Sequence, residues 1–165
     1  MERSKPSPDE GPLVSYHLRD HTADVAVEAT APTLSGVFAA AAEGFTAASC
    51  EIVPEGGERF AMTVTAESRE AAFFDYLDGL VYERDVRLVL PVDHEVTVHE
   101  PGRTTSEERD TDVPTASTDG WRVDATARGV PLADVDAREI KAVTYSEMAL
   151  ERRDGGWYAY VVFDV

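Results

Sequence analysis

The chain has 165 residues, 43% of them apolar, and carries 32 Asp and Glu against 15 Lys and Arg, a formal net charge of −17. That length and apolar fraction suit one domain that buries its own core, which excludes wholesale disorder. The charge repels phosphate chains and anionic lipid, so direct nucleic-acid binding and membrane binding are not expected.

Only Lys5 and Lys141 among the 15 cations are lysine. With the acidic surplus, this points to a protein adapted to concentrated salt, where screening shortens charge repulsion and acidic side chains keep the surface hydrated. The single cysteine, Cys50, excludes an intrachain disulfide framework and any Cys-cluster metal site. No apolar run is long enough to span a bilayer, and the charged, proline-bearing N-terminus is unlike a signal peptide. A cytoplasmic protein is expected.

Residues 1–12 hold three prolines and almost nothing to bury, so they are expected to be a flexible tail. A single domain is expected over 13–165. In it, Val14 to Arg19 and Val25 to Thr30 alternate apolar and polar residues as half-buried strands of one sheet do. Thr33 is a plausible N-cap for a helix whose apolar stripe is Leu34, Val37, Phe38, Ala41, Ala42, Phe45 and Ala48. After the Pro54-Glu55-Gly56-Gly57 break, Phe60, Met62 and Val64 mark a strand, and Ser68 caps a second helix carrying Phe73, Phe74, Leu77, Leu80 and Val81. Strands are expected at Arg87 to Leu90, Val92 to His99, Trp121 to Gly129, Ala142 to Tyr145, Met148 to Arg152 and Trp157 to Val165. Glu100 to Gly120 reads as a polar insertion in a hairpin, and Asp154-Gly155-Gly156 as a tight hairpin turn. The order predicts an α+β two-layer sandwich with a mostly antiparallel sheet and both helices on one face.

Standard catalytic signatures are absent: the sequence has no G-x-S-x-G elbow, phosphate loop, G-x-G-x-x-G turn, H-E-x-x-H pair or C-x-x-C. His94 and His99, five apart on a strand, fall on opposite faces and do not converge on a metal. The turn Asp20-His21-Thr22-Ala23-Asp24-Val25 offers hard oxygens, but in so acidic a chain a pair of loop carboxylates is more often solvated surface. The apolar ending Val161-Val162-Phe163-Asp164-Val165 reads as a strand that carries the Asp164 carboxylate and a terminal carboxylate to a sheet rim. Such oxygens suit calcium or magnesium, although a plain core strand explains the same residues. Lys141 stands out as a lysine where the chain otherwise uses arginine.

Together, Tyr16 ahead of the H-T-A-D turn, the two helices, Ile140-Lys141-Ala142-Val143-Thr144-Tyr145 with Met148, and Val162-Phe163-Asp164-Val165 resemble the archease family over about residues 14–165. The resemblance implies an accessory protein of the RtcB-type tRNA-splicing ligase, without catalysis of its own. Such a factor promotes guanylylation of the ligase, restores its turnover and broadens its nucleotide use. It further implies a divalent cation, calcium before magnesium, held by Asp24, Asp164 and a main-chain or terminal oxygen of Val165. Lys141 matches a functionally important lysine facing the partner or a phosphate, and His21 matches the motif without a defined role. A general chaperone-like module with a structural metal, or a stand-alone metal-dependent hydrolase, are the competing readings; the sequence offers no general base for the latter.

Overall fold

The structure, a computed structural model, describes residues 15–20, 24–102 and 120–165. The expected tail, the turn residues His21 to Ala23 and most of the expected insertion (103–119) lie outside the described residues. In chain order the elements are β1 (Ser15–Asp20), β2 (Asp24–Ala31), α1 (Leu34–Ser49), β3 (Glu58–Ala66), α2 (Arg69–Arg87), β4 (Val89–His99), β5 (Trp121–Pro131), a single 3-10 turn (Leu132–Asp134), β6 (Ala142–Arg153) and β7 (Gly156–Asp164).

The fold is the expected α+β one with antiparallel strands, but the strands divide into two sheets, β1-β2-β7-β6 and β3-β5-β4. Alternation identifies which face of a strand is buried and leaves its partner open, so the division is not written in the local pattern. The β6–β7 hairpin is set locally: Asp154 at φ 48° and Gly155 at φ 79° supply the two left-handed residues of a tight turn that matches strand twist.

Two pairs of expected strands are each one bent strand. β4 runs unbroken from Val89 to His99, with its register to β5 shifting between Val92 and Glu95 and Asp93 at φ 53°. β6 likewise spans Ala142 to Arg153, with a shift between Thr144 and Ala149 and Glu147 at φ 67°. In β6 the extra residues break period-2 alternation, which makes one strand look like two; in β4 the expected break falls at Pro91, which offers no N–H to a ladder. Arg87, expected to begin a strand, instead closes α2.

Thr33 caps α1 by accepting from the Gly36 N–H at 2.9 Å, and Ser68 caps α2 by accepting from the Ala71 N–H at 3.0 Å. The core faces of β2 and β7 present Val27, Ala29, Val161 and Phe163 to the helices, and Phe45 of α1 meets Phe163 edge-on at 5.6 Å. Phe38 ties the helices together, 5.0 Å from Phe73 and 6.1 Å from Tyr76. Each helix also touches the second sheet, α1 through β4 and α2 through β3, β4 and β5, so one apolar core joins both sheets.

Candidate functional site

β7 is interior to its sheet, and its antiparallel neighbours β2 and β6 both begin where it ends. Antiparallel pairing therefore gathers the start of β2, the start of β6 and the end of β7 on one rim. Asp24 lies directly opposite Asp164, and Ala142 opposes Asp164 from the other side. Directly opposed residues share a face, with Cβ atoms roughly 4.5–5.5 Å apart, so the two side chains leave neighbouring strands on the same side of the sheet. By alternation they lie on the face opposite Phe163. Asp24, Asp164 and Val165 are all half-buried, and Val165 packs against the main core.

Lys141 joins this rim through its backbone, whose N–H donates to the Asp164 carbonyl at 2.8 Å, while its side chain is exposed. The structure thus brings together Asp24, Asp164, Val165 and Lys141. His21 lies outside the described residues, and the side chain of Asp20 does too.

The donor chemistry suits a hard cation: two adjacent carboxylates and a main-chain oxygen, with neither carboxylate in an ion pair among the described residues. Among the described residues no group of three or more His, Cys, Asp or Glu side chains converges, so any such site depends on backbone oxygen as well.

Next to the rim, a cavity of ≈ 430 Å3 is lined by Leu18 and Val25 of the sheet, Ala48 and Cys50 at the end of α1, and Asp136 and Arg138. The Arg138 N–H donates to the Ser49 carbonyl at 2.7 Å, fastening the segment before Lys141 to the end of α1. Burial pushes the Cys50 thiol up, and the carboxylates of Asp136 and Glu51 add to the shift despite its bond to the Ile52 carbonyl. A thiol held protonated is a poor nucleophile.

One polar cluster escaped the sequence reading. His94, at the irregularity of β4, is buried; its Nε2 lies 2.8 Å from Thr46 Oγ1, and its backbone N–H donates to Glu43 Oε2 at 3.0 Å. Thr46 Oγ1 also donates to the Pro91 carbonyl at 2.9 Å, which leaves it accepting from His94 Nε2–H. Burial lowers the His94 pKa to about 3, so the ring is neutral, and burial pushes the Glu43 carboxyl up. This cluster clamps α1 to β4. His99, by contrast, is exposed and bonds Asp124 Oδ2 at 3.1 Å, so the two histidines do not converge.

The description of the archease protein family (MTH1598/TM1083) matches residues 16–165. The chain belongs to the archease family. The protein archease of Archaeoglobus fulgidus is 29% identical over 154 residues, covering 92% of this chain and all of that one (100%). The solution structure of protein 1598 from Methanobacterium thermoautotrophicum superposes with a TM-score of 0.71 at 26% identity, covering 91% of this chain and 98% of that one. The crystal structure of a Thermotoga maritima archease, titled a possible chaperone, gives a TM-score of 0.55 at 22% identity over 90% of this chain and 98% of that one, a likeness of fold alone. Among the described residues, no helix of this archease is long and apolar enough to cross a membrane.

Proposed function

We propose that this archease is a cytoplasmic accessory protein, not itself a catalyst, that docks on an RtcB-type tRNA-splicing ligase, promotes its guanylylation by GTP, restores multiple turnover and broadens nucleotide use. The observation that carries the reading is the rim itself, where Asp24 faces Asp164 and the Lys141 backbone is bonded to the Asp164 carbonyl. Asp24, Asp164 and a Val165 oxygen would hold a divalent cation, calcium or magnesium, whose charge would balance the two facing carboxylates. The Lys141 ammonium, exposed beside them, meets the partner or a nucleotide phosphate, where a cation offsets developing negative charge. The rest of the rim is positioned by β7, flanked on both sides, so it meets the ligase preorganised. Given the net charge of −17, the ligase rather than this chain grips the RNA.

The test is guanylylation and multiple-turnover ligation by the cognate ligase with wild type, Asp24→Ala, Lys141→Ala and a chain lacking Asp164 and Val165. Wild type is expected to stimulate both steps and each variant to lose most of the effect. Equal behaviour of all four would sink the proposal. Loss of folding in the Asp24 and truncated variants, with Lys141→Ala fully active, would reduce the cation to a structural staple.

A further inference from the structure

α2 buries Ala72, Phe73, Tyr76, Leu77, Leu80 and Val81 and turns a different stripe to solvent. On that stripe Tyr82 is 61% exposed, Val86 58% and Leu88 65%. Tyr82 and Val86 are four apart and adjoin on the helix surface. Leu88 caps the helix at φ 58° and ψ 46°, a left-handed position usually filled by glycine. A leucine there is conformationally unfavourable as well as exposed, and it extends the apolar surface of Tyr82 and Val86 to the end of the helix. At the other end of the stripe Phe74 lies under Tyr145 of β6, edge-on at 5.3 Å, and Tyr145 is 58% exposed.

Between these apolar groups stand the exposed carboxylates of Asp75, Asp78 and Asp85. Burial pushes the Asp75 carboxyl up and repulsion from Asp78 adds to it. Among the described residues neither Asp75 nor Asp78 is in an ion pair; Asp85 is bridged by Arg84 at 3.1 Å. The stripe therefore combines rings and alkyl groups with two carboxylates, Asp75 and Asp78, that have no cation partner among the described residues.

Charge decides what covers it. A second copy in a two-fold arrangement would set the same carboxylates against one another. An anionic membrane surface is repelled for the same reason. The chain's own segments outside the described residues are net acidic: 103–119 has Arg103 and Arg109 against Glu107, Glu108, Asp110, Asp112 and Asp119, and 1–14 has Arg3 and Lys5 against Glu2, Asp9 and Glu10. We propose that the stripe from Tyr145 along α2 to Leu88 docks a cationic, apolar-faced segment of a partner protein. Its Arg or Lys side chains would sit beside Asp75 and Asp78 and over the rings of Tyr82 and Tyr145, where cation–π attraction adds to charge pairing. The identity of that partner rests on the ligase reading above. The stripe begins at Tyr145, three residues along β6 from Ala142, which opposes Asp164 at the rim.

The experiment measures the affinity of the ligase for wild type, Tyr82→Ala/Val86→Ser, Asp75→Asn/Asp78→Asn and a control, Asp134→Asn/Asp154→Asn, at about 0.15 M and about 1 M KCl. Thermal unfolding confirms that each variant is folded. The apolar pair is expected to weaken binding by about tenfold or more at both salts, as for a central aromatic anchor. The Asp75/Asp78 pair should weaken it several-fold at the lower salt and far less at the higher, with the control unchanged. If wild type stimulates the ligase and both stripe variants bind like wild type, the stripe proposal is overturned and the ligase reading stands. If wild type neither binds nor stimulates, both fall. A concentration-dependent dimer abolished by Tyr82→Ala/Val86→Ser, or binding to anionic vesicles abolished by it, would also overturn the proposal by naming another occupant.

Discussion

Replacing Asp24 by Asn removes one of two carboxylates that β2 and β7 set directly opposite each other. If the charges came as close as the Cβ atoms of opposed residues, about 5 Å, their repulsion would be about 0.8 kcal/mol at the dielectric of water and about 3 kcal/mol at an effective dielectric near 20. Both residues are half-buried, so an intermediate value of about 1–2 kcal/mol is the upper limit. The separation is shorter than the Debye length of about 8 Å at physiological ionic strength, so moderate salt leaves most of it in place. Without divalent cations, Asp24→Asn should therefore be more stable than wild type, by at most about 2–8 °C in Tm at roughly 2–4 °C per kcal/mol for a chain of this size. With calcium the order should invert. A ligand present at about 100 times its dissociation constant stabilises the folded state by about 2.7 kcal/mol, and only wild type keeps both carboxylates to bind it. The assay is thermal unfolding of the two proteins in EDTA and in calcium at constant KCl, repeated with magnesium. If Asp24→Asn is less stable than wild type in EDTA, the carboxylates are not opposed as the register places them. If calcium raises both proteins equally, the cation does not sit on this pair.

Gly44 of α1 packs on β2, and an added Cβ would lie 2.5 Å from Val27 Cγ1. Gly44→Ala gains about 1 kcal/mol of helix propensity but forces an overpacked contact costing about 1–3 kcal/mol, so a net loss of about 1 kcal/mol is expected in urea unfolding. Adding Val27→Ala should show a coupling that recovers part of it, and a stabilised Gly44→Ala would refute the close approach. Phe38→Ala empties the contact between the helices and should cost about 3–5 kcal/mol in the same measurement; a loss below about 1 kcal/mol would mean that Phe38 does not bridge them. Because the folded-state pKa of His94 is lowered to about 3 from 6.5, the unfolded chain binds the extra proton between those values. Stability from this group is complete above about pH 6.5 and is lost on acidification, by up to about 1.4 kcal/mol per pH unit until the folded value is reached. His94→Gln should flatten that acid limb, and an unchanged slope would show that His94 is not held neutral.

Both helices, their Thr33 and Ser68 caps and the Asp154-Gly155 hairpin were legible because each depends on residues a few positions apart. The same local reading cut β4 at Pro91, a residue that offers no N–H to a ladder, and β6 at Ser146, where the irregularity at Glu147 interrupts the alternation that identifies a strand. Alternation already sets His94 on the face of Val96 and Val98, but that this face meets Thr46 and Glu43 of α1 is decided by tertiary packing. The stripe on α2 could be glimpsed in sequence as Tyr82 and Val86 four apart, but their exposure depends on which face of the helix the core takes.

By itself the sequence determined the α+β class, the capped amphipathic helices, a surface hostile to phosphate, and the residues Asp24, Lys141, Asp164 and Val165 as those to watch. Tertiary structure decided which strands pair, and with that the site. Asp24 and Asp164 are 140 positions apart, and neither residue's neighbours encode that β7 lies between β2 and β6. Period-2 alternation, caps and turns act over one element, whereas strand partnership is settled by which buried faces close around the same core, a property of the whole chain.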